Sequence, residues 1–171
     1  MNLLRRSGSQ VALLILALLG AVDAIYLTLV HYNSRITLAC SESGFVNCAR
    51  VITSPYSYIP GTSLPISLAG LGWCLVVIAL ALVGLFAGSE QRWLRLAQFA
   101  WTLLGMLTVF YLVYVEVVLL RNICVWCTVL HGLILVMFLI ALVRLPAHSY
   151  PDEEEWADEE EEVVSEASVE K

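Results

Sequence analysis

The chain has 171 residues, 60% of them hydrophobic, and a formal net charge of −6 at pH 7. A soluble domain is typically about 45–50% apolar, so this composition excludes one and points to an integral membrane protein. The acidic sign is local: eleven of the fifteen acidic residues lie between Asp152 and Glu170, and elsewhere only Asp23, Glu42, Glu90 and Glu116 stand against eight arginines. Those arginines are scattered singly and form no basic stripe, which excludes a nucleic-acid surface.

Residues 1–10 form a short basic segment carrying Arg5 and Arg6, and the first apolar run is Val11–Val30, with Asp23 inside it. The order of basic, apolar and small residues in "RRSGSQVALLILALLGAVDA" imitates a signal peptide. The apolar run continues past Ala24 to Val30, however, which is too long for an ordinary signal core and favours a retained span. Residues 31–65 then make a long segment of the kind that is usually functional or disordered. It is not low-complexity: it holds Cys40, Cys48, the apolar run "FVNCARVI" and the stiff stretch "SPYSYIPGTSLP". This pattern predicts an ordered outer cap with one short helix on the membrane surface, returning at Pro65, a favourable helix start.

Further apolar runs follow at Ile66–Phe86, Leu96–Leu120 and Ile123–Leu145, separated by a short inner turn at residues 87–95 and by Arg121-Asn122. Each run approaches the roughly 20 residues that cross a bilayer core, so the expected fold is an all-α bundle of four transmembrane helices. Cys74, in "LGWCLVVIALAL", reads as a small apolar filler. Residues 146–171 read as a disordered, solvated acidic tail. Four spans put both termini on one side. Arg5, Arg6, Arg92, Arg95 and Arg144 outnumber Arg35, Arg50 and Arg121, so the termini are expected in the cytoplasm of a cell whose inner (plasma) membrane holds the bundle. Cys40, Cys48 and Cys124 then share the outer, oxidising side.

The stretch "RNICVWCTVLHG" carries the chemistry, because C-x-x-C on a helix puts two sulfurs on one face within disulfide reach. Asn122 is the expected N-cap, placing Cys124 in the first turn, where free N–H groups and the helix dipole favour a thiolate. No metal site is expected, since there is no second C-x-x-C and the histidines do not cluster with the thiols. Cys40 and Cys48 suit a structural staple or, with the second pair on the same side, a relay. A dithiol couple in a membrane calls for an apolar acceptor of two electrons and two protons, which describes a quinone. His131, four residues after Cys127, is placed to hydrogen-bond a quinone carbonyl or move a proton. Asp23 is a candidate for tuning proton transfer, whereas Glu116 is expected to snorkel to the interface or make a structural hydrogen bond.

Several stretches together resemble the bacterial branch of the vitamin K epoxide reductase (VKOR) family: "YLTLVHY", "CSESGFVNC" followed by "VITSPYS", "LPISLAGLGW" and "ICVWCTVLH", across residues from about 10 to 145. The resemblance implies a four-helix bundle (11–145) around a quinone, ubiquinone or menaquinone, with a vitamin K-type naphthoquinone as a further candidate. It makes Cys40 and Cys48 the loop shuttle pair and Cys124 and Cys127 the active-site pair, with Cys127 toward the quinone and Cys124 exchanging with Cys48. Ser54 takes the family's polar position near the quinone, although a hydroxyl before Pro55 also suits local turn chemistry. Many bacterial relatives carry a fused thioredoxin-like domain. Here the acidic tail is too short for one, so the implied partner is a separate extracytoplasmic thioredoxin-fold (DsbA-like) carrier. Animal members keep a tyrosine where this chain has His131, which favours quinone reduction over vitamin K epoxide reduction. The rivals are a DsbB-type reductase, which carries both cysteine pairs in loops, and a non-catalytic scaffold or transporter with a stapled loop.

Overall fold

The computed structural model describes residues 2–33, 36, 38–40, 44–86 and 91–145. The expectations for the acidic tail, for part of the inner turn and for Arg35 lie outside these residues. Helix α1 spans Asn2–Tyr32, a short α2 spans Cys48–Ile52, and α3 spans Ile66–Phe86. Helix α4 spans Arg92–Tyr114 and continues as a wide turn of π-helix through Val115–Leu120; α5 spans Val125–Val143. Four segments are long and apolar enough to cross a membrane: Gly8–Tyr32, Ile66–Phe86, Arg92–Leu120 and Val125–Val143. The all-α, four-span architecture is therefore observed, with shifted ends. The last span starts two residues later than expected because Ile123 is extended and paired with the cap.

Helix α1 packs mainly on α3 and also on α5, α4 packs on α5, and α3 and α4 touch only sparsely. Lipid gives no hydrophobic drive for helices to associate, so small residues that admit close packing matter most. Ala17, Ala21 and Ala24 are buried on one face of α1, while Ile15, Val22 and Leu29 are exposed on the other, as suits a helix solvated by lipid. A Cβ on Gly20 would lie 3.1 Å from the Cys74 sulfur, so Cys74 fills the α1–α3 seam as the apolar filler its surroundings suggested.

The end of the bundle that holds Gln10, Gln98 and Arg144 is tied by polar contacts. Arg144 Nη1 donates to Gln98 Oε1 at 3.0 Å, Gln98 Nε2 donates to the Leu80 carbonyl at 3.2 Å, and the Gln10 amide packs beside both. A side chain on Gly84 would overlap that Gln10 amide. Unpaired polar groups are costly away from water, so this network and its space must be kept together. Gly84→Val should therefore lower stability by about 1–3 kcal/mol through overpacking. Thermal unfolding in detergent, compared with Gly72→Val at a position with open space, measures it.

Candidate functional site

The cap is built on the outer ends of the helices. Asn47 caps α2, its Oδ1 accepting from the Arg50 N–H at 2.8 Å, and α2 begins at Cys48. Cys40 and Cys48 are joined by a disulfide. Backbone pairing ties this arm to the start of α5: Ile123 N–H donates to the Phe45 carbonyl at 2.8 Å and Asn47 N–H donates to the Ile123 carbonyl at 3.2 Å. The Cys40 arm is held separately. Trp126 Nε1 donates to the Ala39 carbonyl at 3.0 Å, the Ala39 N–H donates to the Tyr26 hydroxyl at 3.2 Å, and the Tyr26 and Trp126 rings lie 4.9 Å apart. The tryptophan inside C-V-W-C thus grips the residue next to Cys40.

These ties gather all four cysteines in one cluster. Cys48 and Cys124 are both fully buried there, with Cys40 and Cys127 packed against them. The expected cap is corrected: Cys124, not Asn122, is the N-cap of α5, and its sulfur accepts from the Cys127 N–H at 3.3 Å. Asn122 instead turns back, its side-chain amide donating to the Leu120 carbonyl at 2.7 Å, because Ile123 is committed to the bridge with Val46. The Cys127 thiol donates to the Cys124 sulfur, and the N–H groups of Cys127 and Trp126 also point at it. Cys124, one residue ahead of the span, is thereby held below the ordinary thiol range despite its burial, since hydrogen bonds favour the charged sulfur.

Beneath the cap lies a cavity of about 500 Å³, lined mainly by apolar side chains. Cys127 lines it and Cys124 does not. Trp73 and Trp101 also line it and brace each other: each indole N–H donates to the other's backbone carbonyl, at 3.1 and 3.2 Å. Gly105 permits this, because a Cβ there would overlap the Trp73 ring. Leu104 and Thr108 line the cavity yet are exposed on the bundle's outside, so its wall opens toward lipid where α3 and α4 barely touch.

Among the other residues singled out, His131 and Ser54 line the cavity, both buried. The Ser54 hydroxyl donates to the Val51 carbonyl at 2.8 Å, so turn chemistry occupies its proton and only its lone pairs face other partners. Asp23 is buried but does not line the cavity; its carboxylate has no hydrogen-bond partner among the described residues and stands near Cys74 and Cys127. Glu116 takes the second of its two expected roles, a structural hydrogen bond, with the Cys124 N–H. Instead of snorkelling, it is 6% exposed, lines the cavity, and turns its carboxylate to the Cys127 thiol and the Cys124 N–H. A signal for this was present: Gln98, Thr102, Gly105 and Val109 form the buried stripe of α4, and Glu116 stands one heptad beyond Val109. No group of histidine, cysteine, aspartate or glutamate able to hold a metal occurs among the described residues.

Residues 11–142 match the sequence profile of the Vitamin K epoxide reductase family. The chain belongs to that family. As a member of the vitamin K epoxide reductase family it is a multi-pass membrane oxidoreductase, and the family's chemistry links disulfides to quinones.

Trp126→Phe keeps the ring against Tyr26 but removes the donor to Ala39. One net hydrogen bond is worth about 1 kcal/mol, so the Cys40 arm should open about five-fold more often. Faster amide exchange at residues 38–40, and faster reduction of the Cys40–Cys48 disulfide by a water-soluble phosphine, would register this.

Proposed function

We propose that the protein reoxidises a separate thioredoxin-fold (DsbA-like) carrier and passes the electrons through Cys40/Cys48 and Cys124/Cys127 to a quinone. The observation that carries this reading is the division of the four sulfurs. Cys40 is the less buried end of the loop disulfide, Cys48 and Cys124 are buried together, and Cys127 alone opens onto the cavity. A carrier thiolate attacks Cys40 and leaves as a disulfide, reducing the loop pair. The Cys48 thiolate then attacks Cys124 of the oxidised helix pair and frees Cys127, and Cys40 resolves the Cys48–Cys124 bond. The Cys124–Cys127 dithiol that results holds two electrons and two protons at the cavity wall.

The cavity suits a quinone ring: its volume falls in the range of small-ligand sites, its walls are apolar, and polar groups converge at one end. A bound quinone supplies the acceptor for two electrons and two protons. His131 offers a ring N–H, and the Trp73–Trp101 brace forms a flat wall for the ring. Ubiquinone and menaquinone both fit this chemistry. Residues 11–145 act as one membrane domain with residues 31–65 as its outer cap, while residues 1–10 and the tail 146–171 lie in the cytoplasm. This topology puts the cysteine pairs on the outer face of the inner (plasma) membrane.

Anaerobic mixing of the purified protein with a quinone and a reduced thioredoxin-fold carrier should reduce the quinone, followed by its absorbance; no reduction beyond the protein-free rate would defeat the assignment. The order of exchange has its own test. In Cys127→Ser the Cys124 thiolate can still attack Cys48 of the loop disulfide, but no Cys127 thiol is present to displace Cys48 again, so a Cys48–Cys124 disulfide that only Cys40 can reverse should accumulate. Protease cleavage between residues 49 and 123 and non-reducing mass analysis detect the linked peptides, and a Cys40–Cys124 link instead would reverse the order. A membrane-impermeant thiol reagent should label Cys40 in intact cells after reduction, and labelling only from the inner face would invert the topology.

A further inference from the structure

The wide turn that ends α4 delivers a carboxylate to the thiols. Val115 and Glu116 are both buried, and the Glu116 carbonyl accepts the N–H groups of Arg121 and Asn122, the latter at 3.0 Å. Arg121 adopts a left-handed backbone, φ 51°, unusual for a side chain branched from Cα, and this closes the turn. Such π-helical turns are often found at functional sites. The Glu116 carboxylate meets two things at once: the Cys127 thiol and the N–H of Cys124, the cap of α5, where the helix dipole favours negative charge. It also lines the cavity.

The surroundings leave this carboxylate without an ion-pair role. Among the described residues, no arginine or lysine lines the cavity; the titratable groups there are His31, Tyr56, Cys127 and His131 besides Glu116 itself. From α1, the Asp23 carboxylate acts on Cys127 as well. A buried acid with no cation, a thiol on one side and the cavity on the other is placed to move a proton between them.

We propose that Glu116 is the proton shuttle between the Cys127 thiol and the quinone, a role that rests on the quinone-reductase reading above. The Cys127 S–H, which donates to the Cys124 sulfur at rest, rotates to the facing Glu116 carboxylate; the S–H bond breaks and a Glu116 O–H bond forms, leaving the thiolate that carries the electron pair. The Cys124–Cys127 disulfide forms as that pair passes to the quinone. The Glu116 O–H proton follows to a quinone oxygen, and the Cys124 thiol supplies the second proton. Glu116 returns as the carboxylate, so atoms and charge balance over the step.

The first experiment needs no quinone. In fully reduced, quinone-free protein, N-ethylmaleimide, an apolar reagent that reaches the cavity, is followed by mass at the Cys127 peptide. Glu116→Gln should slow Cys127 alkylation about ten-fold, because the base is gone. If Glu116 acts on Cys127 only through its charge, removing that charge favours the thiolate, and alkylation at the wild-type rate or faster overturns the proposal. The second is single-turnover reduction of a quinone by pre-reduced protein. Glu116→Gln should slow it about a hundred-fold or more, and formate should restore part of the rate to Glu116→Ala; a wild-type rate in Glu116→Gln overturns the role. The third adds Glu116→Gln to Cys127→Ser, where the Cys48–Cys124 disulfide should still form; its loss would show a structural role instead. A wild-type protein that reduces no quinone defeats the functional reading, whereas the alkylation comparison still judges Glu116 on its own.

Discussion

The short stretch of backbone pairing between Phe45–Asn47 and Ile123 is the constraint on which the rest of the site depends. It ties a polar cap to the outer end of a lipid-solvated bundle, where few side chains offer specific contacts. By holding Ile123 extended, it decides that α5 starts at Val125 and that the Cys124 sulfur, not the Asn122 amide, caps the helix. By placing α2 immediately after Asn47, it buries Cys48 beside Cys124. Geometry of this kind is what thiol–disulfide exchange requires, since the attacking sulfur must reach its target along the S–S axis.

Polar groups are distributed according to what the bilayer permits. The middle of the bundle is apolar, with Leu13, Val77, Ile134 and Met137 in its core. One end carries the satisfied network of Gln98, Arg144 and Gln10, which fastens α1, α4 and α5. The other end carries Asp23, Glu116 and the thiols, whose polar atoms are only partly satisfied. Buried groups left so are expensive, and they persist where chemistry needs them. Between the two ends, the Trp73–Trp101 brace holds α3 and α4 together while leaving the cavity open above and toward lipid.

Much of this is legible in the sequence. Hydropathy located four spans, because a bilayer demands long apolar helices whatever the side-chain details. The long outer segment with its two cysteines reads as an ordered cap, and the C-x-x-C as a pair at a helix start. Two outcomes were decided by contacts that local pattern does not carry. Asn122 looks like a cap by residue type, but the cap residue was decided by a strand-like bridge to a segment 77 residues away, Val46↔Ile123. Glu116, near a span end, suits either the interface or a structural hydrogen bond, and the π-helical turn decided for the hydrogen bond, with the Cys124 N–H.

The sequence by itself determined the number of membrane crossings, the cysteine pairs and their order along the chain, because these follow from hydrophobic length and local spacing. Only the tertiary structure decided which sulfur faces the cavity, which is buried against the loop, and which acid meets the thiols. Those outcomes depend on contacts between segments far apart in the chain, set by where a few backbone hydrogen bonds and one tryptophan clamp the cap onto the bundle. Local propensity carries no record of them.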